Sequence, residues 1–547
     1  MTPMSRRQLV KGMAAAPWLM TFRPASASTG LFQHGVASGD PDQHSVVLWT
    51  RITSAQPQSL VSWEIAESAD FQRVVDRGEF ATNAHRDFTV KVLATELKPG
   101  VQYWYRFRAE GQYSPVGRTK TLPEGRVDEV GIALASCSNF AFGFFNAYAA
   151  IAQNDAIDVV LHTGDYLYEY GADGWGGSIA QQLGRVHSPR HEIVTLADYR
   201  QRHAQYKTDR GSMAMHARHP LIALWDDHES ANNPWLGGAQ NHQPDTEGDW
   251  RSRRAAATQA YYEWMPVREP ALGQRRLDFW RRYRFGDLAT LVTLESRHTA
   301  RAEQIGYAAA VSSIQSMTDA REFERQGIDR PGREMLSPAM KSFLQKALHE
   351  SREQNQAWRV LGNAIPMAKV RTPDLAAAGI AMPQGSPQGV ADFVWKGRYD
   401  LPLYLDTWDG YGWAREQLYA DCAASGVQDL MVLTGDSHSF WANSLFTEAG
   451  MPMGVEIGTA GISSPGDFIE QGFDRDTAAK LDQLLAAHNA EVRWTDNLHQ
   501  GYVAISLQRD RADIDYIAVS TVLTETFTVR SVHRETVVPE QGTLRYA

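Results

Sequence analysis

The chain has little cysteine: 547 residues contain only Cys137 and Cys422, so at most one disulfide is possible. Long apolar runs are also missing. No run, the short apolar stretch near the start included, is long enough for a membrane helix. Basic charge is not in excess either, with a formal net charge of −10 and only short arginine clusters, RSRR and RRYR, in the body. A nucleic-acid surface is therefore not expected. There is no GxSxG elbow, no P-loop, no low-complexity tract and no solenoid repeat. What is present is ordinary for a folded chain: 43% hydrophobic and 22% charged residues. The length exceeds that of a single core and predicts two domains, one of them large.

Residues 1–27 carry an arginine pair in SRRQLVK, a short apolar stretch and the small-residue site Ala25-Ser26-Ala27. These are the parts of an export signal. Arg6 and Arg7 resemble the twin-arginine signal, which implies passage through the twin-arginine export machinery as a folded protein and a periplasmic or secreted destination. Cleavage would remove Arg6, Arg7, Lys11 and Arg23 and leave the mature chain more acidic. In an oxidising compartment Cys137 and Cys422 could pair, or Cys137 could serve as a thiolate ligand while Cys422, inside the helix-like REQLYADCAAS, packs in a core.

Residues 28–122 read as a small all-β sandwich. SVVLWTRI, LVSWEIAES, DFTVKVLA and VQYWYRFRAE are short strand patterns bounded by turns, and LKPGVQYWYRF places Tyr103 as in the tyrosine corner of fibronectin type III domains. This module is expected to be a spacer or rim. After the linker TLPEGRVDEV, residues 128–547 change to an α/β pattern, with buried apolar runs alternating with helical stretches.

The six runs VGIALASCSN, AIDVVLHTGD, HPLIALWDDHE, LATLVTLESRH, AWRVLGNAIPM and DLMVLTGDSH each end in potential ligands. In open α/β sheets the carboxyl ends of strands share one crevice, so these ends should converge. The inventory there is Cys137, Asp165, Tyr168, Asp227, His228, Asn363, Asp436 and His438. Oxygen donors with a thiolate, a phenol and imidazoles point to metal ions rather than a serine nucleophile. Arg297, after LATLVTLES, could clamp a phosphate through its planar fork or be an ordinary surface residue. Asn139 is a further donor candidate. The inserts Gly174–His216 and Ala300–Arg333 are long enough for lids.

At this point the motifs resemble a known set. GDYLY matches the GDxxY of binuclear metallophosphatases, DDHE is similar to their GNHE, and GDSH to their GHxH. Together with SRRQLVK, the β-sandwich, ASCSN, WDDHE and TGDSHSFW, the chain resembles the PhoD-like alkaline phosphatase family over nearly its whole mature length. The resemblance implies an α/β fold: a four-layer metallophosphoesterase β-sandwich flanked by helices, preceded by the small all-β domain. It also implies a ferric ion, Fe(3+), held by Cys137, Asp165, Tyr168 and His438, and a calcium site, Ca(2+), made by Asp165, Asp227, Asn363 and Asp436, whose oxygen-only donors suit calcium. Asp227 rather than its neighbour Asp226 is taken as the ligand because it precedes His228 as Asn precedes His in GNHE. Cys137 stands where an acid is more frequent in binuclear enzymes, and a further ion could use Glu229. The implied activity is hydrolysis of phosphate esters by a metal-activated water, with His228 as general acid. The alternatives are a phosphodiesterase of phospholipase D type acting on lipid head groups, and a non-catalytic calcium-stabilised binding protein.

Overall fold

The computed structural model describes residues 18–20, 30–382 and 385–547. The expected export segment 1–27, apart from the backbone of Trp18–Met20, lies outside the described residues. Two sheets stack face to face in the large domain. The first runs Trp18–Met20, Phe527–Glu540, Ala512–Val519, Gly501–Gln508, Glu129–Ala135, Val159–His162 and Leu221–Ala223, then continues into Val36–Gly39, Val46–Arg51 and Thr89–Ala94. The second runs Arg281–Phe285, Ala289–Thr293, Trp358–Gly362, Leu430–Thr434, Pro452–Gly458, Phe440–Phe446 and Val492–Asp496.

Strand alternation explains the layering. Ile132, Leu134 and Leu161 turn inward to the core between the sheets with Leu291, Val360 and Val432. Their neighbours Ala133, Ala135 and Val160 turn outward to a second core with Tyr148, Tyr206 and Tyr261 from the helices Asn146–Gln153, Leu196–Tyr206 and Trp250–Trp264. On the far side, Leu344 and Leu348 of Pro338–Glu353 and Leu418 and Cys422 of Gly412–Ala424 close the second sheet. The result is the four-layer arrangement expected. Cys422 is buried as a packing residue, and both cysteines are free thiols.

The N-terminal module is all-β, and Tyr103 makes the corner bond, its hydroxyl accepting from Lys98 N at 2.8 Å. One of its sheets is continuous with the catalytic sheet, because Gly39 pairs in parallel with Leu221. Only glycine fits: a Cβ there would lie 2.5 Å from Pro266 O and 2.6 Å from Leu221 O. The junction also buries Trp49 against Trp264 at 5.7 Å, with Trp49 Nε1 donating to Glu263 O at 2.9 Å. Beneath it Lys207 Nζ meets His216 Nε2 at 2.9 Å. The sequence pattern of each strand says nothing about which domain supplies its neighbour, so this continuity was not legible.

Candidate metal centre

Parallel pairing of Glu129–Ala135, Val159–His162 and Leu221–Ala223, and of Ala289–Thr293, Trp358–Gly362 and Leu430–Thr434, brings all six predicted strand ends to one edge. The chain turns sharply at each. Cys137, Asp165, Asp436 and His438 have φ of 59°, 55°, 66° and 52°, the left-handed region that side chains avoid. Such backbone costs on the order of 1–3 kcal/mol per residue and concentrates at functional sites. Gly164, with φ of 106°, allows the close approach of Asp226, whose Cβ would lie 2.4 Å from an added side chain.

One group of donors gathers on Asp165. Its Oδ2 lies 3.5 Å from Cys137 Sγ and accepts from Tyr168 Oη at 3.1 Å. Tyr168 Oη is in turn 3.2 Å from His438 Nε2 and accepts from Ser464 Oγ at 3.0 Å. Cys137, Asp165 and His438 offer ligand atoms within 4.8 Å of one another, and so do Asp226, Asp227 and Asp436. The fold thus gathers both acids of the DDHE pair, Asp226 as well as the expected Asp227, in this group. Asp226 Oδ1 accepts from Arg297 Nε at 2.5 Å, while its buried Oδ2 has no partner. Asp227 accepts from His228 N at 2.9 Å and Asn233 N at 2.9 Å.

Arg297 is fully buried rather than a surface residue. Its Nη2 reaches Asp436 Oδ1 at 3.1 Å and lies 4.0 Å from Asp227. Glu295 fixes this turn, accepting from Arg297 N at 3.0 Å and His298 N at 2.7 Å. Asn363 sits at its strand end, with Nδ2 donating to Ile365 O at 2.5 Å and Oδ1 accepting weakly from Trp408 Nε1 at 3.4 Å. Asn139 is buried; its Oδ1 caps Ala141 N at 3.0 Å and its Nδ2 has no partner. Glu229 is not an open ligand, since its oxygens accept from Tyr166 N at 2.6 Å and Asp226 N at 2.8 Å. It braces the loop.

Sequence reading missed Glu169, the glutamate of GDYLYEY. It is fully buried, and its Oε2 holds His228 Nδ1 at 2.6 Å while Oε1 accepts from Asn232 N and Asn241 Nδ2 at 2.7 and 2.8 Å. The insert Gly174–His216 is also not the lid expected. Its helices Gly177–Leu183, Leu196–Tyr206 and Arg210–Arg218 pack as a fixed wall, with Arg202 and His203 buried. Trp175 from this wall stacks over His438 at 5.5 Å.

The electrostatics fit bound cations. Four carboxylates, the buried Asp165, Asp226 and Asp227 and the partly buried Asp436, outnumber Arg297 and His228. Burial and then the charges of Asp227 and Asp226 push Asp165 well above the carboxylate range, and burial with Asp226 does the same to Asp436. Burial and then Asp165 raise the Cys137 thiol. Burial opposes charge on His228, yet Asp227 and Glu169 overcome it and raise the imidazole to about 9. A cation would reverse these shifts on the acids, and the orphaned Asp226 Oδ2 has the chemistry of a ligand atom.

Strand ends that converge carboxylates, a thiol, a phenol and imidazoles, beside a buried arginine, make a candidate metal centre, and similarity to known proteins gives its class as a hydrolase of phosphoric esters. Residues 132–516 match the family model for the PhoD-like phosphatase, and residues 16–123 match that for the PhoD-like phosphatase N-terminal domain. Alkaline phosphatase D of Bacillus subtilis (strain 168) is 31% identical over 505 residues, covering 89% of this chain and 77% of that protein. A solved structure of PhoD superposes with a TM-score of 0.76 at 29% identity, covering 95% of this chain and 92% of the other. The chain belongs to the PhoD-like phosphatase family. Among the described residues no helix is long and apolar enough to cross a membrane.

Proposed function

We propose that the chain is an exported, metal-dependent alkaline phosphatase that releases inorganic phosphate from phosphate esters. The observation that carries this reading is the contact of Asp165 with both Cys137 and Tyr168 beside the acidic group Asp226, Asp227 and Asp436. Cys137, Asp165, Tyr168 and His438 would hold Fe(3+), since phenolate and carboxylate suit a hard trivalent ion. Asp165, Asp227, Asn363 and Asp436, joined by Asp226, would hold Ca(2+). When bound, these ions polarise phosphate oxygens as Lewis acids and lower the pKa of a water toward neutrality.

The chain's own residues do the rest. His228 is the proton donor to the departing alcohol, and Glu169 at its Nδ1 fixes the tautomer that leaves Nε2 facing the site. Arg297, locked between Asp226 and Asp436, sets the acids' positions; its free face toward phosphate is small, because Nε, Nη1 and Nη2 all have partners. Asn139 contributes its unpartnered Nδ2 as a donor near Cys137. Arg6 and Arg7 direct export, which places the mature enzyme in the periplasm or outside the cell. Diesters, including phospholipid head groups, are the second class of substrate this reading admits.

The test is turnover of a phosphomonoester and its methyl diester by the mature protein before and after chelation, with iron and calcium restored singly. Activity that needs both ions supports the reading. Activity unchanged by exhaustive chelation, or absent with both ions bound, contradicts it.

A further inference from the structure

Beside His438 and His228 lies a group of side chains that phosphate hydrolysis itself leaves unused. Asp467 and Glu470 stand on the short helix Asp467–Gln471, and their carboxylate oxygens and a His438 nitrogen lie within 4.8 Å of one another. Among the described residues neither acid has an ion pair with arginine or lysine; Asp467 lies 3.5 Å from His438 Nδ1 and beside the Tyr404 hydroxyl. His438 is 8% exposed, and its Nδ1, aimed at this group, makes no hydrogen bond of ordinary geometry. Asp406 adds a third carboxylate within electrostatic reach of Asp467. Lys396, within electrostatic reach of Asp467, is turned to Leu403 O at 2.7 Å, and His228 is the cation within reach of Glu470.

Aromatic rings complete the surface. Trp175, partly exposed, stacks on His438 at 5.5 Å and 15° and on His228 at 6.5 Å and 18°. Tyr170, also partly exposed, lies 5.3 Å from His228. Glu470 is exposed and within electrostatic reach of both His228 and Tyr170. Carboxylates without an arginine or lysine partner beside partly exposed aromatic rings are recognition chemistry suited to an alkylammonium ion.

We propose that Asp467, Glu470 and Trp175 form a leaving-group subsite for a cationic alcohol, so that the enzyme prefers phosphate esters of amino alcohols. This rests on the phosphatase reading above, because His228, the donor to the departing oxygen, is what places the alcohol beside Glu470. The preference is a difference between two transition states and is read as a ratio.

The experiment uses the metal-loaded full-length mature protein and compares kcat/KM for phosphocholine with that for 3,3-dimethylbutyl phosphate, its uncharged isostere. The parent should favour phosphocholine by on the order of tenfold, equivalent to one cation–π contact in a partly desolvated site. In Glu470→Gln and in Trp175→Leu the ratio should fall to about one. A parent ratio near one, or a ratio unchanged in both variants, overturns the proposal. So does loss of one metal ion per chain in Glu470→Gln, because the acids would then be metal ligands. Parent turnover of p-nitrophenyl phosphate tests the phosphatase reading separately: if it is absent, that reading fails before the subsite is at issue.

Discussion

Replacing Arg297 by methionine is the sharpest perturbation of the electrostatic account. The guanidinium is fully buried and bonds Asp226 at 2.5 Å and Asp436 at 3.1 Å, with Asp227 at 4.0 Å. Removing one partner of a buried ion pair leaves an uncompensated charge and costs about 3–5 kcal/mol. Part of that cost vanishes where the acids take up protons, and burial already drives Asp226 and Asp436 in that direction. The metal-free Arg297→Met protein should therefore be about 3 kcal/mol less stable than the parent. Bound calcium should restore more stability to the variant than to the parent, since the cation then meets acids that nothing else neutralises. Urea melts of chelated protein, repeated across a calcium titration, measure both effects. Equal metal-free stability in the two proteins would refute the reasoning, because the arginine would then be a replaceable surface-type group.

Other consequences follow from the same contacts. Glu169→Gln keeps a side chain at His228 Nδ1 but removes its charge, so turnover of alkyl phosphates should drop about 10²-fold while p-nitrophenyl phosphate, whose leaving group needs no proton, changes little; equal losses on both would make Glu169 structural. Burial lowers His34, His162, His187, His219 and His298 to about 3, with desolvation the largest cause in each. Their folded pKa values lie below the unfolded 6.5, so the stability they contribute is present above that pH and is lost as pH falls toward 3. Each then costs about 1.4 kcal/mol per pH unit, enough together to unfold a typical domain within about two units. Thermal melts from pH 8 to pH 4 should show a steep fall beginning near neutrality; a flat profile would contradict the burial of these rings. Gly39→Val should destabilise the junction of the two domains by several kcal/mol, about as overpacking does at its upper end, and raise protease cleavage near Gly39; wild-type resistance would argue that the continuous sheet is dispensable.

The strand-end logic carried far. Cys137, Asp165, Tyr168, Asp436 and His438 each follow a buried apolar run, and local pattern alone is enough to bring such positions to one edge. What it missed depends on distance in the chain. Glu169 and His228 are 59 positions apart, and nothing in GDYLYEY says that its glutamate turns back to an imidazole. Asp226 and Asp227 were treated as alternatives because successive residues on a strand face opposite ways. The strand ends at Ala223, however, and the irregular chain after it directs both carboxylates to the site. The wall around Trp175 read as a lid because the insert is long, while its burial comes from Tyr199, Tyr206 and Met215 meeting the outer face of the first sheet.

The central claim is that Tyr168 and Cys137 hold iron beside a calcium site. The most direct measurement is the visible absorption spectrum of the mature protein, with iron and calcium counted per chain, for the parent and Tyr168→Phe. The account predicts about one iron per chain, calcium alongside it, and a tyrosinate-to-iron charge-transfer band that disappears in the variant. A colourless parent containing zinc alone, or visible absorption that is the same in Tyr168→Phe as in the parent, would contradict it.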